Sequence, residues 1–143
     1  LRVSGRVKHY ISAFGEHVIQ QEVNTAMIEA CQTTGAEVQE FTVAPQIGDE
    51  QSYHEWFVEF AKAPGDLSHF SEVLDKALQR QNTYYADLRE GKMLLQAKVN
   101  VLQQDACREY MKSIGKLGGQ NKFPRLGNDR KIASFLEDYV INS

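Results

Sequence analysis

Apolar residues along the chain recur with two periods, and the switches between them mark out the elements. Leu1 to Ser4 and Lys8 to Ser12 are short strand-like runs joined through Gly5-Arg6, a pattern that predicts a hairpin with Gly5 supplying the turn. After Gly15 the spacing becomes helical. Ile19, Val23, Ala26, Met27 and Ala30 recur every three or four residues and predict one buried helix face. Gly35 is placed to stop that helix. Glu37 to Ala44, rich in Val, Phe and Thr, reads as a strand. Its alternation changes phase between Val38 and Phe41, which predicts a bulge or burial on both faces. Pro45 to Gln51 reads as a polar turn. Tyr53 to Phe60 reads as a second strand, antiparallel to the first, with Trp56, Val58 and Phe60 on one side.

Pro64-Gly65-Asp66 announces a helix capped by Asp66, with Leu67, Phe70, Leu74, Ala77 and Leu78 as its buried stripe. Thr83 to Glu90 reads as a short further helix before Gly91. Leu95, Ala97, Val99 and Val101 then alternate strictly with Gln96, Lys98 and Asn100, the clearest strand pattern in the chain. A helix from about Asp105 to Ile114 is expected to bury Cys107, Tyr110, Met111 and Ile114 and to stop at Gly115. The last helix starts near Asn128 and buries Ile132, Phe135, Leu136, Tyr139 and Val140. This order predicts an α+β fold: a small mixed sheet covered mainly on one face by helices. A β-hairpin is followed by a ferredoxin-like βαββαβ series and C-terminal helices. With no internal repeat and no low-complexity linker, residues 1–143 read as one domain.

Composition narrows the function classes. The 143 residues suffice for one core, and 42% hydrophobic with 24% charged residues is an ordinary globular balance. A net charge of -3 argues against general attraction to nucleic acid or to an anionic membrane. No apolar run approaches the roughly 18 residues of a membrane-spanning helix. The N-terminus has neither the apolar core of a signal peptide nor an initiator methionine, and it opens on a strand-like run. That predicts a piece of a longer or processed polypeptide. Cys31 and Cys107 lie far apart, without CxxC spacing or a nearby His pair. The expectation is therefore two reduced core thiols in a cytoplasmic protein, with no metal site.

Candidate chemistry concentrates between Ile114 and Asn128. The run Gly115-Lys116-Leu117-Gly118-Gly119-Gln120-Asn121-Lys122-Phe123-Pro124-Arg125-Leu126-Gly127 holds four glycines and favours neither helix nor strand. Lys116, Lys122 and Arg125 make it basic in an acidic protein. Exposed amides and cations on such a loop suit a phosphate or carboxylate. Composition alone favours an ordinary solvated connector, and no Lys-Ser or Lys-Thr follows the glycines as a Walker loop requires. Gly5-Arg6-Val7-Lys8-His9 reads as a charged hairpin tip. His54 and Glu55 invite an acid–base reading, but neighbours in a strand point to opposite faces, and a sheet-surface role is expected. No Ser/His/Asp, Cys/His or clustered-carboxylate constellation emerges.

Further residues carry a resemblance. Gly5-Arg6-Val7-Lys8, followed by Ile11-Ser12-Ala13-Phe14-Gly15-Glu16 and an amphipathic helix, resembles the junction that opens the C-terminal domain of adenylate-forming enzymes. That superfamily includes acyl-CoA synthetases, luciferases and peptide-synthetase adenylation domains. A closer resemblance is to the auxin-responsive Gretchen Hagen family of acyl-acid amido synthetases, in its bacterial branch. It rests on Ser12-Ala13-Phe14-Gly15-Glu16, Phe41-Thr42-Val43-Ala44-Pro45, Tyr53-His54-Glu55-Trp56, and Asn82 with Tyr84-Tyr85. The fifth stretch is Gly115 to Lys122 with Pro124-Arg125. These stretches span nearly the whole chain, in order.

The resemblance implies a mobile C-terminal lid whose large N-terminal domain is a partner in the same polypeptide. It implies ATP and Mg2+ in the intact enzyme, with neither held by this domain alone, and an acyl-adenylate formed from a carboxylic acid. An amine or amino acid would be the acceptor, with coenzyme A or another thiol as the alternative. Lys8 would be the hinge and Arg6 would face the nucleotide. Gln120 to Arg125 matches the family pattern Gln-x-Lys-x-Pro-Arg, so Lys122 would be the adenylation lysine, with Lys116 as competitor and Gln120 and Arg125 as supporting contacts. The Ser-Gly-Lys context of many adenylate-forming relatives is absent. A stand-alone ferredoxin-like small-molecule-binding or interaction module without catalysis is the alternative.

Overall fold

The computed structural model describes residues 10–11, 18–47, 52–115, 123, 125–126 and 130–141. A two-residue strand β1 (Tyr10–Ile11) pairs antiparallel with β2 (Val18–Ile19). The runs expected to form the hairpin's first strand and turn lie outside the described residues. Helix α1 (Gln20–Thr34) follows directly, and the Glu22 carboxylate accepts the Ile19 backbone N–H at 3.0 Å. That occupies one of the donors a helix start leaves over. Ile19 was expected on the buried face, but its extended backbone turns its side chain outward, and Val18 is buried instead. The rest of the face is as the spacing predicts: Val23, Ala26, Met27 and Ala30 are buried. Gly35 ends α1 at φ 79°, donating to Cys31 O at 2.8 Å, in the left-handed conformation that lacks a steric cost only for glycine.

Strand β3 (Glu37–Ile47) pairs antiparallel with β4 (Ser52–Lys62), Val43 opposite Trp56, and the register slips around Val38–Glu40 where the sequence changes phase. The strand continues through Pro45 and Gln46, where a turn was expected. In the order β3-β4-β5 this strand is outermost, so the N–H that proline lacks is dispensable. Helix α2 (Leu67–Gln81) is capped by Asp66, whose carboxylate accepts from the N–H groups of Ser68 and His69. Helix α3 (Thr83–Glu90) is capped by Asn82, which accepts from Tyr85 N at 2.9 Å. The chain then returns to β5 (Lys98–Val101), parallel to β4 with Val99 beside Trp56. The βαββαβ order matches expectation, while β2 pairs with β1 and not with the three-stranded sheet.

Helices cover both faces of that sheet, not mainly one. Trp56, Val58 and Phe60 of β4 join Phe41, Val43 and Val99 in a core closed by α1 and α2. Phe57, of opposite parity, joins Ala44 and Leu102 under α4 (Ala106–Ser113) and α5 (Lys131–Leu136), where Cys107, Met111, Ala133 and Leu136 are buried. A short 3-10 turn (Glu137–Tyr139) follows α5. Ile114 was expected in this core but is 42% exposed, because α4 ends at Ser113 and the chain is already turning into Gly115 at φ 72°. Leu94 is buried where Leu95 was expected, since regular strand begins only at Lys98.

One buried carboxylate ties the crossover together. Asp75 of α2 accepts from the Tyr85 hydroxyl, from Gln79 Nε2 at 2.8 Å, from Arg89 Nε at 2.9 Å and from the Ala97 N–H at 3.0 Å. Two consecutive helices and the approach to β5 therefore share one acceptor.

Candidate functional site

Of the six residues singled out by the sequence, Arg125 alone is among the described ones. Lys122, Lys116, Gln120, Arg6 and Lys8 lie outside them. The structure does show how the glycine-rich segment is attached. Phe123 meets Tyr110 of α4 edge-on at 5.9 Å, against the second core. Leu126 is buried in the first core and forms an isolated parallel bridge with Val43. Val43 N donates to Arg125 O at 3.1 Å, so Arg125–Leu126 is stitched along the outer side of β3.

Between those apolar anchors, Arg125 is held by three different forces. Its Nε lies 2.7 Å from Glu40 Oε1, its Nη1 donates to Asn24 Oδ1 at 3.2 Å, and its guanidinium carbon stands 4.9 Å from the Phe41 ring centroid. An arginine placed over an aromatic face and hydrogen-bonded to a carboxylate uses both its planarity and its charge. Phe41 in turn stacks on Trp56 at 5.7 Å. Glu40 follows the irregular stretch of β3, so the register slip in that strand helps set where Arg125 is gripped.

Two hollows flank this position. One, of about 270 Å³ and half open, is lined by Met27, Ile28, Cys31, Val38 and Phe41, with Asn24, Gln32 and Arg125 as its polar members. The other, of about 330 Å³, has Glu40, Glu59, Asp105 and Arg108 around Cys107 and Phe123. Glu59 is buried there and caps α4 from β4, accepting from the N–H groups of Asp105 at 3.0 Å and Cys107 at 3.2 Å. Burial, with the carboxylates of Glu59 and Glu40, pushes the Cys107 thiol far above its ordinary range, against a smaller opposing pull from Arg125. Cys31 is raised by partial burial. Both cysteines are free thiols. Among the described residues no group of three or more His, Cys, Asp or Glu is arranged to hold a metal.

Past the loop, Arg130 bridges Glu55 of β4 at 2.8 Å and Glu137 at 2.9 Å, and donates to Pro45 O at 3.1 Å. Burial alone would lower the Arg130 pKa, but the bonds from the two carboxylates outweigh it and raise it. Glu55 also accepts from Asn100 Nδ2 at 2.6 Å. The expected sheet-surface role for His54 and Glu55 is thus corrected. They do point to opposite faces, but β4 is the central strand and both faces are covered. His54 lies against the Tyr85 ring at 5.0 Å, and Glu55 is buried in the Arg130 network. Arg130, Glu40 and Asn24 carried no motif or spacing that marked them, since their partners lie far away in sequence.

The model of the GH3 family C-terminal domain matches residues 21–131, most of the chain and every element from α1 to the start of α5. The chain belongs to the GH3 family. Two solved structures share the fold of this GH3 C-terminal domain. One is a GH3.15 acyl acid amido synthetase, with a TM-score of 0.78 and 17% identity over 94% of the chain. The other is AtGH3.15 acyl acid amido synthetase in complex with 2,4-DB, with a TM-score of 0.76 and 17% identity over 94% of the chain. The chain spans only 27% and 26% of the length of those two structures. No curated protein sequence matches the chain. No helix among the described residues is long and apolar enough to cross a membrane.

Proposed function

We propose that this chain is the mobile C-terminal lid of a cytoplasmic, AMP-forming acyl acid amido synthetase of the bacterial GH3 branch, within the adenylate-forming superfamily. Membership of the GH3 C-terminal family over residues 21–131, a range that includes the basic glycine-rich segment, carries this reading. In the first half-reaction a carboxylate oxygen attacks the α-phosphorus of ATP and pyrophosphate leaves. In the second, an amine or amino acid nitrogen attacks the acyl carbon, loses a proton and expels AMP.

Negative charge builds on the α-phosphate as pyrophosphate departs, so a cation delivered by lid closure stabilises that transition state. Lys122 is assigned this role, with Lys116 as competitor. Gln120 and Arg6 are assigned nucleotide contacts, and Lys8 the hinge. Arg125, braced by Glu40 and Asn24, is assigned a supporting role alongside Gln120 and Arg6. Mg2+ would arrive with the ATP phosphates.

ATP–pyrophosphate exchange by the intact parent protein, with a panel of small carboxylic acids, tests the reading. Acid-dependent exchange is expected, slowed by about a hundredfold in Lys122→Ala, with the second step from preformed acyl-adenylate largely spared. Absence of exchange with every acid would refute the enzymatic reading. Unchanged exchange in Lys122→Ala would remove that lysine from it.

A further inference from the structure

The groove between α1 and β3 has the composition of a ligand site. Its walls are Met27, Ile28, Cys31, Val38 and Phe41, and its single charged member among the described residues is Arg125. Apolar walls with few convergent polar groups are the usual make-up of a small-molecule pocket. Arg125 is not spent: Nε is on Glu40 and Nη1 on Asn24, while Nη2 has no partner among the described residues. Glu40 pairs with Arg125 from outside the residues that line the groove, so among the described residues the lining carries one cation and no carboxylate. A closed cavity of roughly 150 Å³ accepts one benzene molecule. The 270 Å³ here has room for one aromatic ring or a short branched chain carrying a carboxylate.

We propose that this groove binds a small apolar carboxylate, its hydrocarbon part against Met27, Val38 and Phe41 and its carboxylate on the Arg125 guanidinium. The site is a property of this domain and requires neither ATP nor the adenylation chemistry proposed above. It would give the lid its own response to free acid.

The experiment follows Trp56, the only tryptophan, whose ring stacks on the groove wall Phe41. The 143-residue protein is titrated with phenylacetate, with its neutral isostere phenylacetamide, and with AMP. Saturable change with phenylacetate is expected, at least about tenfold weaker for the amide because a charge-assisted bond is lost. Phenylacetate should also slow modification of Cys31 by a thiol reagent. Cys31→Phe fills the groove and should abolish the response. Arg125→Lys keeps the charge but loses the planar fork, and should weaken phenylacetate several-fold without weakening the amide; it carries the test if Cys31→Phe does not fold. Equal binding of acid and amide, preference for AMP over the acid, or no saturable change with phenylacetate would overturn the proposal. Failure of ATP–pyrophosphate exchange in the parent would leave it standing.

Discussion

Replacing Asp75 by Asn alters almost no volume but removes the charge on which four donors converge. One carboxylate oxygen receives the Tyr85 hydroxyl and the Ala97 N–H, the other Gln79 Nε2 and Arg89 Nε. An amide keeps a single oxygen and turns two N–H groups toward whichever donors face its other end. If the oxygen stays with Tyr85 and Ala97, both buried, then Gln79 and Arg89 lose their acceptor. Arg89 is 21% exposed, so its guanidinium regains some water. Losing the ion pair and weakening two buried bonds should cost about 2–4 kcal/mol, below the full penalty of an uncompensated buried charge. Against a typical stability of about 5–15 kcal/mol that is a large share. Urea unfolding followed by Trp56 fluorescence should show the midpoint falling by about 1–2 M at unchanged slope. Tyr85→Phe removes one donor and leaves Asp75 its other three, so it should cost only about 1 kcal/mol. A cost below about 0.5 kcal/mol for Asp75→Asn, or a larger one for Tyr85→Phe, would refute the claim that this carboxylate organises the crossover.

Two further outcomes are expected. Gly35→Ala should destabilise by about 1–2 kcal/mol, purely through backbone conformation, because the added methyl would meet nothing within 4 Å at φ 79°; a loss above about 3 kcal/mol in the same urea assay would reveal a contact instead. Cys107 is held protonated in the folded state by burial and by Glu59 and Glu40. As pH rises past the ordinary thiol value, near 8.5, the unfolded chain loses that proton while the folded chain keeps it, so stability should fall, by up to about 1.4 kcal/mol per pH unit from this one group. Cys107→Ala should flatten the decline between pH 8 and 10, and an identical pH profile in the variant would contradict the assignment.

Much of the fold was legible because local chemistry and tertiary demand agree at particular positions. Gly35, Asp66 and Gly115 stop or start helices where their backbones or side chains are used in that way. The phase change between Val38 and Phe41 announced a real register slip. Errors fall where a neighbour overrides the local pattern. Pro45 reads as a turn residue until an outermost strand makes its missing N–H harmless. Glu55 and His54 read as surface until helices close both sides of β4. The candidate site was less legible. Arg125 stood out by charge and by its place beside Pro124, but its partners Asn24 and Glu40 are 101 and 85 positions away, a distance that periodicity cannot see. The Arg130–Glu55 pair, on the far side of the same loop, left no local trace for the same reason.

The bridge from Arg125–Leu126 to Val43 has a consequence for behaviour in a crowded solution. A sheet's outermost strand offers unused amide and carbonyl groups to any other extended chain, and so templates aggregation unless something blunts it. Here β3 is blunted by its irregular register, by Pro45 and by the amide of Val43 being committed to Arg125 O. A substitution that unseats Leu126 or Arg125 would thus be expected to do more than blunt activity. It would open a seam along which copies of the protein could join, so solubility and the placement of the loop depend on the same few atoms.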